Sequence, residues 1–229
     1  MDVDLLRVEE KGNARYCQLV GLGFDARVLK LREAAARRRR RNSGFLGYAR
    51  AGLRAFFSDY FNTLKPYRLD LRDGKYAYRG PRINAEYTFD ELTRRTRAPM
   101  IELGTRPYYG KLFKVCPDVV CNDGNLDLYV FDVRTPWAMA LNLSVLWRGK
   151  HDVLNRRLIA RRQGMIERYE VKRVAVSSEQ PFDYHADGEL LQAGEAGITV
   201  EVVPRALRFL VPERFYRLFH PFDYDTSFE

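Results

Sequence analysis

Residues 119–133 read VVCNDGNLDLYVFDV, and the pattern of this stretch indicates β structure. Asp123 and Gly124 separate two apolar segments, and an Asp-Gly pair in that position is most often a turn. From residue 126 to residue 133 apolar and polar residues largely alternate, which is the period of a strand with one buried face. The stretch therefore predicts a turn followed by a β-strand.

The same alternation recurs along most of the chain. Asp73 and Gly74 lie between two alternating stretches and predict a hairpin across a two-residue turn. The other predicted strands cover residues 15–24, 68–72, 75–78, 83–89, 170–176, 198–203 and 207–211. Short strands outnumber helices, so we expect a mainly β (α+β) fold, a two-sheet β-sandwich with one or two inserted helices.

Two segments are predicted to be helical. The first covers about residues 27–62, is rich in Ala, Leu and Arg, and is interrupted near Asn42 and Gly44. The second covers residues 136–147, with Thr135 as its N-cap and Pro136 at its first position. We expect residues 1–212 to form one domain and residues 213–229 to form an aromatic tail that docks or stays loose.

The positive charge of the chain is concentrated in the first helical segment. The 229 residues include 39 Lys and Arg against 30 Asp and Glu, a net charge of +9. Residues 27–54 alone hold ten basic residues and one acid, so this segment accounts for the whole excess. The run of five arginines, Arg37, Arg38, Arg39, Arg40 and Arg41, is either a solvated charge run or a contact for phosphate or an anionic membrane. Nucleic acid is a less favoured partner, because no nucleic-acid-binding motif accompanies the charge.

The cysteines and the apolar stretches indicate the cellular compartment of the protein. Three cysteines without metal-ligand spacing predict neither a disulfide framework nor a zinc site, which fits a reducing cytosol. Residues 1–10 lack the apolar region of a signal peptide, and the longest apolar stretch, residues 136–147, is shorter than the ~20 residues that span a bilayer. We expect a cytoplasmic protein, peripheral to a membrane.

Three short motifs carry candidate chemistry, and each has a plainer alternative. Residues 21–26 (GLGFDA) are either a strand end with a turn or a close backbone approach to a ligand; without a third glycine they do not predict a dinucleotide site. Asp123 is a turn residue or, with neighbouring carbonyls, part of an oxygen cage for a hard cation. Asp187 and Glu189 flank a glycine in a hairpin turn, or converge to accept a proton or hold a metal.

Taken in order, these motifs resemble the C-terminal domain of the diacylglycerol kinase family, which also contains sphingosine kinases and bacterial lipid kinases. The similarity runs from about residue 5 to residue 212. The matching segments are residues 21–28 (GLGFDARV), 47–49 (GYA), 116–117 (CP), 122–128 (NDGNLDL), 147–151 (WRGKH), 186–189 (ADGE), 203–207 (VPRAL) and 211–212 (VP).

The resemblance implies a β-sandwich domain with a lipid pocket between it and a smaller α/β nucleotide domain. It also implies roles for individual residues. A Mg²⁺ ion would be held by Asp123 with the backbone carbonyls of Val120 and Asn125. Glu189 would be the proton acceptor, with Asp187 beside it. Asp25 would face the substrate head group, and Arg50 with the arginine run would face phosphates or the membrane.

The family's nucleotide domain, with its glycine-rich GGDGT element, would precede residue 1, and the Asp-Gly pairs here stand at residues 73, 123 and 187. We therefore expect ATP to be bound mainly by a domain outside this chain, and the chain alone to be inactive. Two functions stay open: the lipid-binding, base-carrying half of an ATP-dependent lipid kinase, or a noncatalytic module that binds lipid or anionic membranes. The sequence also leaves a homodimer open.

Overall fold

The computed structural model describes residues 1–39, 44–79, 82–108, 113–133, 135–195, 197–210 and 212. Its strands are β1 (Asp2–Glu10), β2 (Asn13–Cys17), β3 (Leu19–Gly23), β4 (Tyr67–Arg79), β5 (Arg82–Thr96), β6 (Met100–Gly104), β7 (Leu126–Val133), β8 (Gly164–Ser177), β9 (Phe182–Ala186), β10 (Glu189–Ala193) and β11 (Ile198–Arg208). Its α-helices are α1 (Phe24–Arg39), α2 (Gly44–Arg54), α3 (Pro136–Trp147) and α4 (His151–Ala160). A π-helical turn (Ala55–Asp59) and a 3-10 turn (Tyr60–Thr63) follow α2.

The predicted fold class, mainly β with inserted helices, is confirmed. The strands form one antiparallel sheet in the order β10-β9-β3-β6-β7-β8-β11-β1-β2, with β4 on the other edge of β8 and β5 beyond it. Along one edge β8 pairs first with β7, through residues 164–171, and then with β11, through residues 173–176. The sheet therefore divides at Lys172 into two parts.

The two ends of the sheet curl towards each other. Strand β2 continues into β3 after a single residue, although the two lie at different places in the strand order. The β1–β2 hairpin contacts the β9–β10 hairpin: the Tyr184 hydroxyl donates to Glu10 at 3.2 Å, and Gly194 N–H donates to the same carboxylate. These contacts enclose an apolar core that includes Leu6, Leu19, Leu69, Ile101, Leu128 and Val174.

The predicted helices are confirmed within the described residues. Helices α1 and α2 occupy the basic segment, whose interruption at residues 40–43 lies outside the described residues. Helix α3 begins after Thr135, whose hydroxyl accepts from Ala138 N–H at 3.2 Å, as its role as N-cap requires. Helix α4 was not predicted. The predicted tail at residues 213–229 also lies outside the described residues.

The predicted hairpin at Asp73 and Gly74 is wrong, because β4 runs through both residues. Arg72 pairs with Arg173 and Gly74 with Val171, in one register. A side chain at residue 74 would clash, since its Cβ would lie 2.4 Å from Val171 Cγ1 and 2.5 Å from a backbone carbonyl oxygen. The glycine thus permits a close approach of two strands and does not form a turn.

In two other regions the observed strands have different bounds from the predicted ones. Residues 15–24 form the end of β2, all of β3 and the first residue of α1, with a break at Gln18. Residues 198–211 contain one strand, β11, that continues through Pro204 to Arg208. An unpredicted strand, β1, pairs with β11 along its length. No helix among the described residues is long and apolar enough to cross a membrane.

Candidate functional site

The Asp-Gly-Glu motif forms the hairpin turn between β9 and β10. Asp187 and Gly188 have φ values of 48° and 88°, and Ala186 pairs with Glu189 across them. The carboxylate of Asp187 accepts from the backbone N–H groups of Gln18 at 3.0 Å and Leu19 at 3.1 Å. It also accepts from Arg106 at 3.0 Å. Asp187 therefore fixes the turn to the start of β3, which is a positioning role.

Glu189 differs from Asp187 in its exposure to solvent. Its side chain is 75% exposed, and the nearest guanidinium nitrogen, on Arg15, lies 3.8 Å away. A carboxylate in this position can accept a proton from a group that approaches from outside the domain. Both acids of the motif are exposed, with 39% of the Asp187 side chain accessible, but the Asp187 carboxylate is occupied by the N–H groups of Gln18 and Leu19, whereas that of Glu189 is not.

Asp123 lies in a second loop, residues 122–125, that is anchored by a buried acid. Asp123 is exposed and accepts from Asn125 N–H at 2.9 Å. The anchor is Asp4, which is fully buried and accepts from Gly124 N–H and Arg205 N–H, each at 2.7 Å. This loop lies where β7 and β11 separate along β8, and Lys172 of β8 donates to the Gly124 carbonyl.

The loop and the turn lie at the same end of the sheet. The loop leads into β7 and the turn follows β9, and the strands β9, β3, β6 and β7 are neighbours in that order. Leu19 pairs with Gly104 and Gly104 with Asp127, while Leu19 also accepts from Asp187 N–H at 2.9 Å. Three inter-strand spacings separate β9 from β7, about 14 Å if the sheet were flat. The fold thus brings Asp123 and Glu189 to one end of the domain.

A network of buried charges lies at the start of β7, directly after the loop. Arg168 contacts Asp127 and Glu170, both at 2.5 Å, and donates to the Asp118 carbonyl at 3.2 Å. Burial raises the pKa of Asp127, and the adjacent Arg168 opposes that rise. Breaking a buried ion pair leaves an uncompensated charge, so removal of either Asp127 or Arg168 alone would destabilise the strand from which the loop projects.

The residues predicted to hold Mg²⁺ have suitable donor atoms. Asp123 offers an exposed carboxylate, and Val120 and Asn125 offer backbone carbonyls on either side of it. Carboxylate and carbonyl oxygens are the ligands that this hard cation takes, with water in its remaining positions. The donor types are therefore suited to the ion, and the Mg²⁺ site itself stays a prediction.

Asp25 belongs to a different cluster, with Glu102 and His185. Asp25 stands in the first turn of α1, and its Oδ2 lies 2.6 Å from His185 Nε2. His185 and Glu102 are buried, and donor atoms of the three side chains all lie within 4.8 Å of one another. Burial, and next the charge of Asp25, raise the pKa of Glu102 well above its usual value.

Glu102 and His185 were not predicted as site residues. His185 alone in the sequence does not predict a binding or catalytic site. Glu102, in contrast, could have been identified from its sequence context. It is the one charged residue of an otherwise apolar strand, MIELG, and a buried acid without a sequence partner calls for a partner in space.

The structure describes only some of the arginines that were predicted to face phosphate or the membrane. Arg50 is exposed on α2, and Arg37 is exposed and pairs with Glu33 at 3.4 Å. The backbones of Arg38 and Arg39 are helical, and Arg40 and Arg41 lie outside the described residues. The contact of the arginine run with phosphate or a membrane therefore stays a prediction.

An exposed aromatic surface adjoins the basic segment. Phe57 and Trp137 are 64% and 63% exposed, and their ring centroids lie 6.1 Å apart. The exposed apolar residues near the end of α2 and on α3 are Leu53, Phe57, Phe61, Trp137 and Leu141, which we call the aromatic surface. The exposed Arg50 and Arg54 are on the same helical segment as Leu53.

Comparison with known proteins gives one family and a set of structures. A family model described as the YegS C-terminal NAD kinase beta sandwich-like domain matches residues 18–211. Two solved structures of a proposed diacylglycerol kinase from Bacillus anthracis str. Sterne are 16% and 19% identical, with TM-scores of 0.48 and 0.44. A structure of a diacylglycerol kinase from the same organism is 17% identical, with a TM-score of 0.46.

The three matches cover 90% of this chain and 54%, 53% and 54% of the other chains, so this chain spans about half the length of those proteins. No curated protein matches the chain.

Proposed function

The chain belongs to the family of YegS C-terminal NAD kinase beta sandwich-like domains, and from this premise we propose that it is the lipid-binding and base-carrying half of an ATP-dependent lipid kinase. The reaction transfers the γ-phosphoryl group of ATP to the hydroxyl of a diacylglycerol-like or sphingoid lipid. ATP is bound mainly by a nucleotide domain outside residues 1–229, and the chain alone is inactive.

The observation that carries the proposal is the accessible carboxylate of Glu189 at the same end of the sheet as the Asp123 loop. Phosphoryl transfer depends mostly on positioning and charge neutralisation. Glu189 accepts the proton of the lipid hydroxyl, and the hydroxyl oxygen forms a bond to the γ-phosphorus. The bond from that phosphorus to the β,γ-bridging oxygen breaks, and ADP leaves.

Other residues position the reacting groups. Asp187 holds the turn that carries Glu189 through its bonds to the backbone of Gln18 and Leu19. Asp25, partly exposed at the start of α1, faces the lipid head group, and Arg50 faces phosphate or the membrane. Mg²⁺, held by Asp123 and the carbonyls of Val120 and Asn125, would neutralise phosphate charge when bound.

The test supplies a nucleotide domain of the same family, either separately or fused ahead of Met1, with ATP, Mg²⁺ and vesicles containing diacylglycerol or a sphingoid base. Phosphorylated lipid is the expected product. Glu189→Gln is expected to lower its rate by about 10²- to 10⁴-fold, the usual contribution of a general base. The matched control is Glu195→Gln, an exposed glutamate just after β10, which is expected to leave the rate unchanged. Absence of product with both arrangements, or full activity of Glu189→Gln, would overturn the proposal.

The aromatic surface favours the second candidate function, a noncatalytic module that binds anionic membranes. Exposed aromatic side chains in contact, as Phe57 and Trp137 are, mark an interaction site, and Trp is typical of the membrane–water interface. The exposed Arg50 and Arg54 add positive charge beside it, each contributing roughly 1 kcal/mol near an anionic surface. The same surface would hold a lipid kinase at the membrane that contains its substrate.

Vesicle sedimentation tests the aromatic surface, and the kinase assay then separates the two candidates. Binding to phosphatidylserine-containing vesicles is expected to fall at least about tenfold in the double variant Phe57→Ser, Trp137→Ser, because two interfacial side chains are lost. Tyr16→Ser, which removes an exposed aromatic side chain from β2, is the control and is expected to bind like the unaltered chain. Vesicle binding without kinase activity in any arrangement would favour the module, and equal binding of all three proteins would exclude this surface.

A further inference from the structure

The cluster of Asp25, Glu102 and His185 is built around a glycine. In the register of the sheet, Gly21 of β3 lies between His185 of β9 and Glu102 of β6. A Cβ at residue 21 would lie 2.2 Å from His185 Nε2 and within 2.9 Å of both Glu102 carboxylate oxygens. The two side chains therefore converge over the backbone of Gly21, and the carboxylate of Asp25 reaches them from α1.

Glu102 is the unexplained member of this cluster. It is 1% exposed, and neither of its carboxylate oxygens has a hydrogen-bond partner among the described residues. Burying a carboxylate without a partner is strongly unfavourable, and buried polar groups in native proteins are nearly always satisfied. Protonation alone does not remove the difficulty, since the second oxygen still lacks a donor. A cation in the space shared with Asp25 and His185 would satisfy both oxygens and the charge.

We propose that Asp25, Glu102 and His185 bind one divalent transition-metal ion, with Zn²⁺ preferred. Two carboxylates and one imidazole supply three donors and a charge of −2, which the ion balances. Zn²⁺ takes His nitrogen and carboxylate oxygen in tetrahedral sites of this size, with a water molecule in the fourth position. Mg²⁺ demands octahedral geometry and keeps several waters, so an enclosed site with an imidazole disfavours it.

Binding requires one change at His185. His185 Nε2 faces Asp25, and Nδ1 accepts from Gly188 N–H at 3.4 Å. A metal on Nε2 needs its lone pair, so the single ring proton moves to Nδ1 and the long contact with Gly188 is lost. The ion enters past Asp25, whose side chain is 19% exposed while that of His185 is inaccessible.

Metal binding by the 229-residue chain tests this inference without any kinase assay. After treatment with a chelator, calorimetric titration with Zn²⁺ is expected to give one equivalent per chain, and Mg²⁺ is expected to bind at least about a hundredfold more weakly. Co²⁺ is expected to give visible d–d absorption without the near-ultraviolet thiolate band that binding to Cys17, Cys116 or Cys121 would produce.

Variants assign the ion to the cluster. Glu102→Gln and Asp25→Asn each remove one ligand with little change of shape and are expected to weaken Zn²⁺ at least about tenfold. Glu33→Gln, an acid of α1 paired with the exposed Arg37, is the matched control and is expected to bind like the unaltered chain. Asp123→Asn leaves this site intact and distinguishes it from the proposed Mg²⁺ site.

Circular dichroism of each variant reports its folding, and Asp25→Asn provides a second ligand variant if Glu102→Gln unfolds. The inference is overturned if the unaltered chain binds no Zn²⁺, if the Co²⁺ spectrum shows thiolate ligands, or if both ligand variants bind as tightly as the control.

Discussion

The buried ring of His151 makes the stability of this domain sensitive to mild acid. His151 begins α4 and is 1% exposed, and its Nε2 donates to the Val115 carbonyl at 2.8 Å. Its Nδ1 is buried without a hydrogen-bond partner among the described residues. The rings of Tyr129 and Phe131 pack against it, with centroids 5.6 Å and 5.5 Å away. A proton added to Nδ1 would place a charge in this apolar contact.

Burial lowers the pKa of His151 from 6.5 to about 4, against the opposing effects of the Val115 carbonyl, Asp118 and Asp152; Lys114 acts in the same direction as burial. Between these pH values the unfolded chain binds a proton that the folded chain does not. The free energy of unfolding therefore falls as the pH decreases from 6.5 to 4. At 1.36 kcal/mol for each pH unit, the loss attributable to His151 is about 3 kcal/mol.

Urea unfolding followed by circular dichroism at several pH values measures this loss. Between pH 7 and pH 4.5 the unaltered chain is expected to lose about 2 kcal/mol more than His151→Gln, which keeps an amide donor but does not titrate. Asp152→Asn removes an exposed ion pair with Arg156 and is expected to follow the unaltered chain to within about 1 kcal/mol. If His151→Gln and the unaltered chain lose stability in parallel, the argument from burial is refuted.

Three further substitutions test, by urea unfolding, two contacts of the candidate site and one helix cap. Gly21→Ala is expected to destabilise by about 2 to 3 kcal/mol, because the new methyl group overlaps His185 and Glu102; an unchanged midpoint would mean that the cluster is open. Asp4→Ala is expected to cost about 3 kcal/mol, because it leaves the N–H groups of Gly124 and Arg205 without an acceptor. Asp2→Ala, at a partly exposed acid paired with the exposed Arg208, should cost less, and equal effects would argue against the anchoring role of Asp4. Thr135→Ala is expected to cost about 1 kcal/mol through loss of the α3 N-cap, which an unchanged helical signal and stability would contradict.

The candidate site was predicted in its accessible parts and missed in its buried parts. Asp123 and Glu189 were found because Asp-Gly pairs mark turns and the surrounding motifs resemble a lipid kinase domain. The family match to residues 18–211 confirms that resemblance, whereas the roles of the two acids stay predictions. Glu102 was missed because its neighbours in sequence form an ordinary apolar strand, and its chemical partners are 77 and 83 residues away.

Asp73 and Gly74 show why a local pattern can mislead. An Asp-Gly pair is permissive for a turn, but the same glycine also allows two strands to approach closely. At residues 187 and 188 the flanking strands are short and the pair forms a turn; at residues 73 and 74 the strand continues because β8 and β5 pair with it on both sides. Only the neighbouring strands distinguish the two cases.

By itself the sequence determined the properties that depend on neighbouring residues. These are the strands marked by alternating apolar and polar residues, the N-cap at Thr135, the basic helical segment and the family. The tertiary structure alone decided which distant side chains meet, as in the register that aligns His185, Gly21 and Glu102 and in the two backbone contacts of Asp4. The physical reason is that strand register and close packing are set by hydrogen bonds and apolar contacts between segments far apart in the chain. The free energy of those contacts is not encoded in any single stretch of residues.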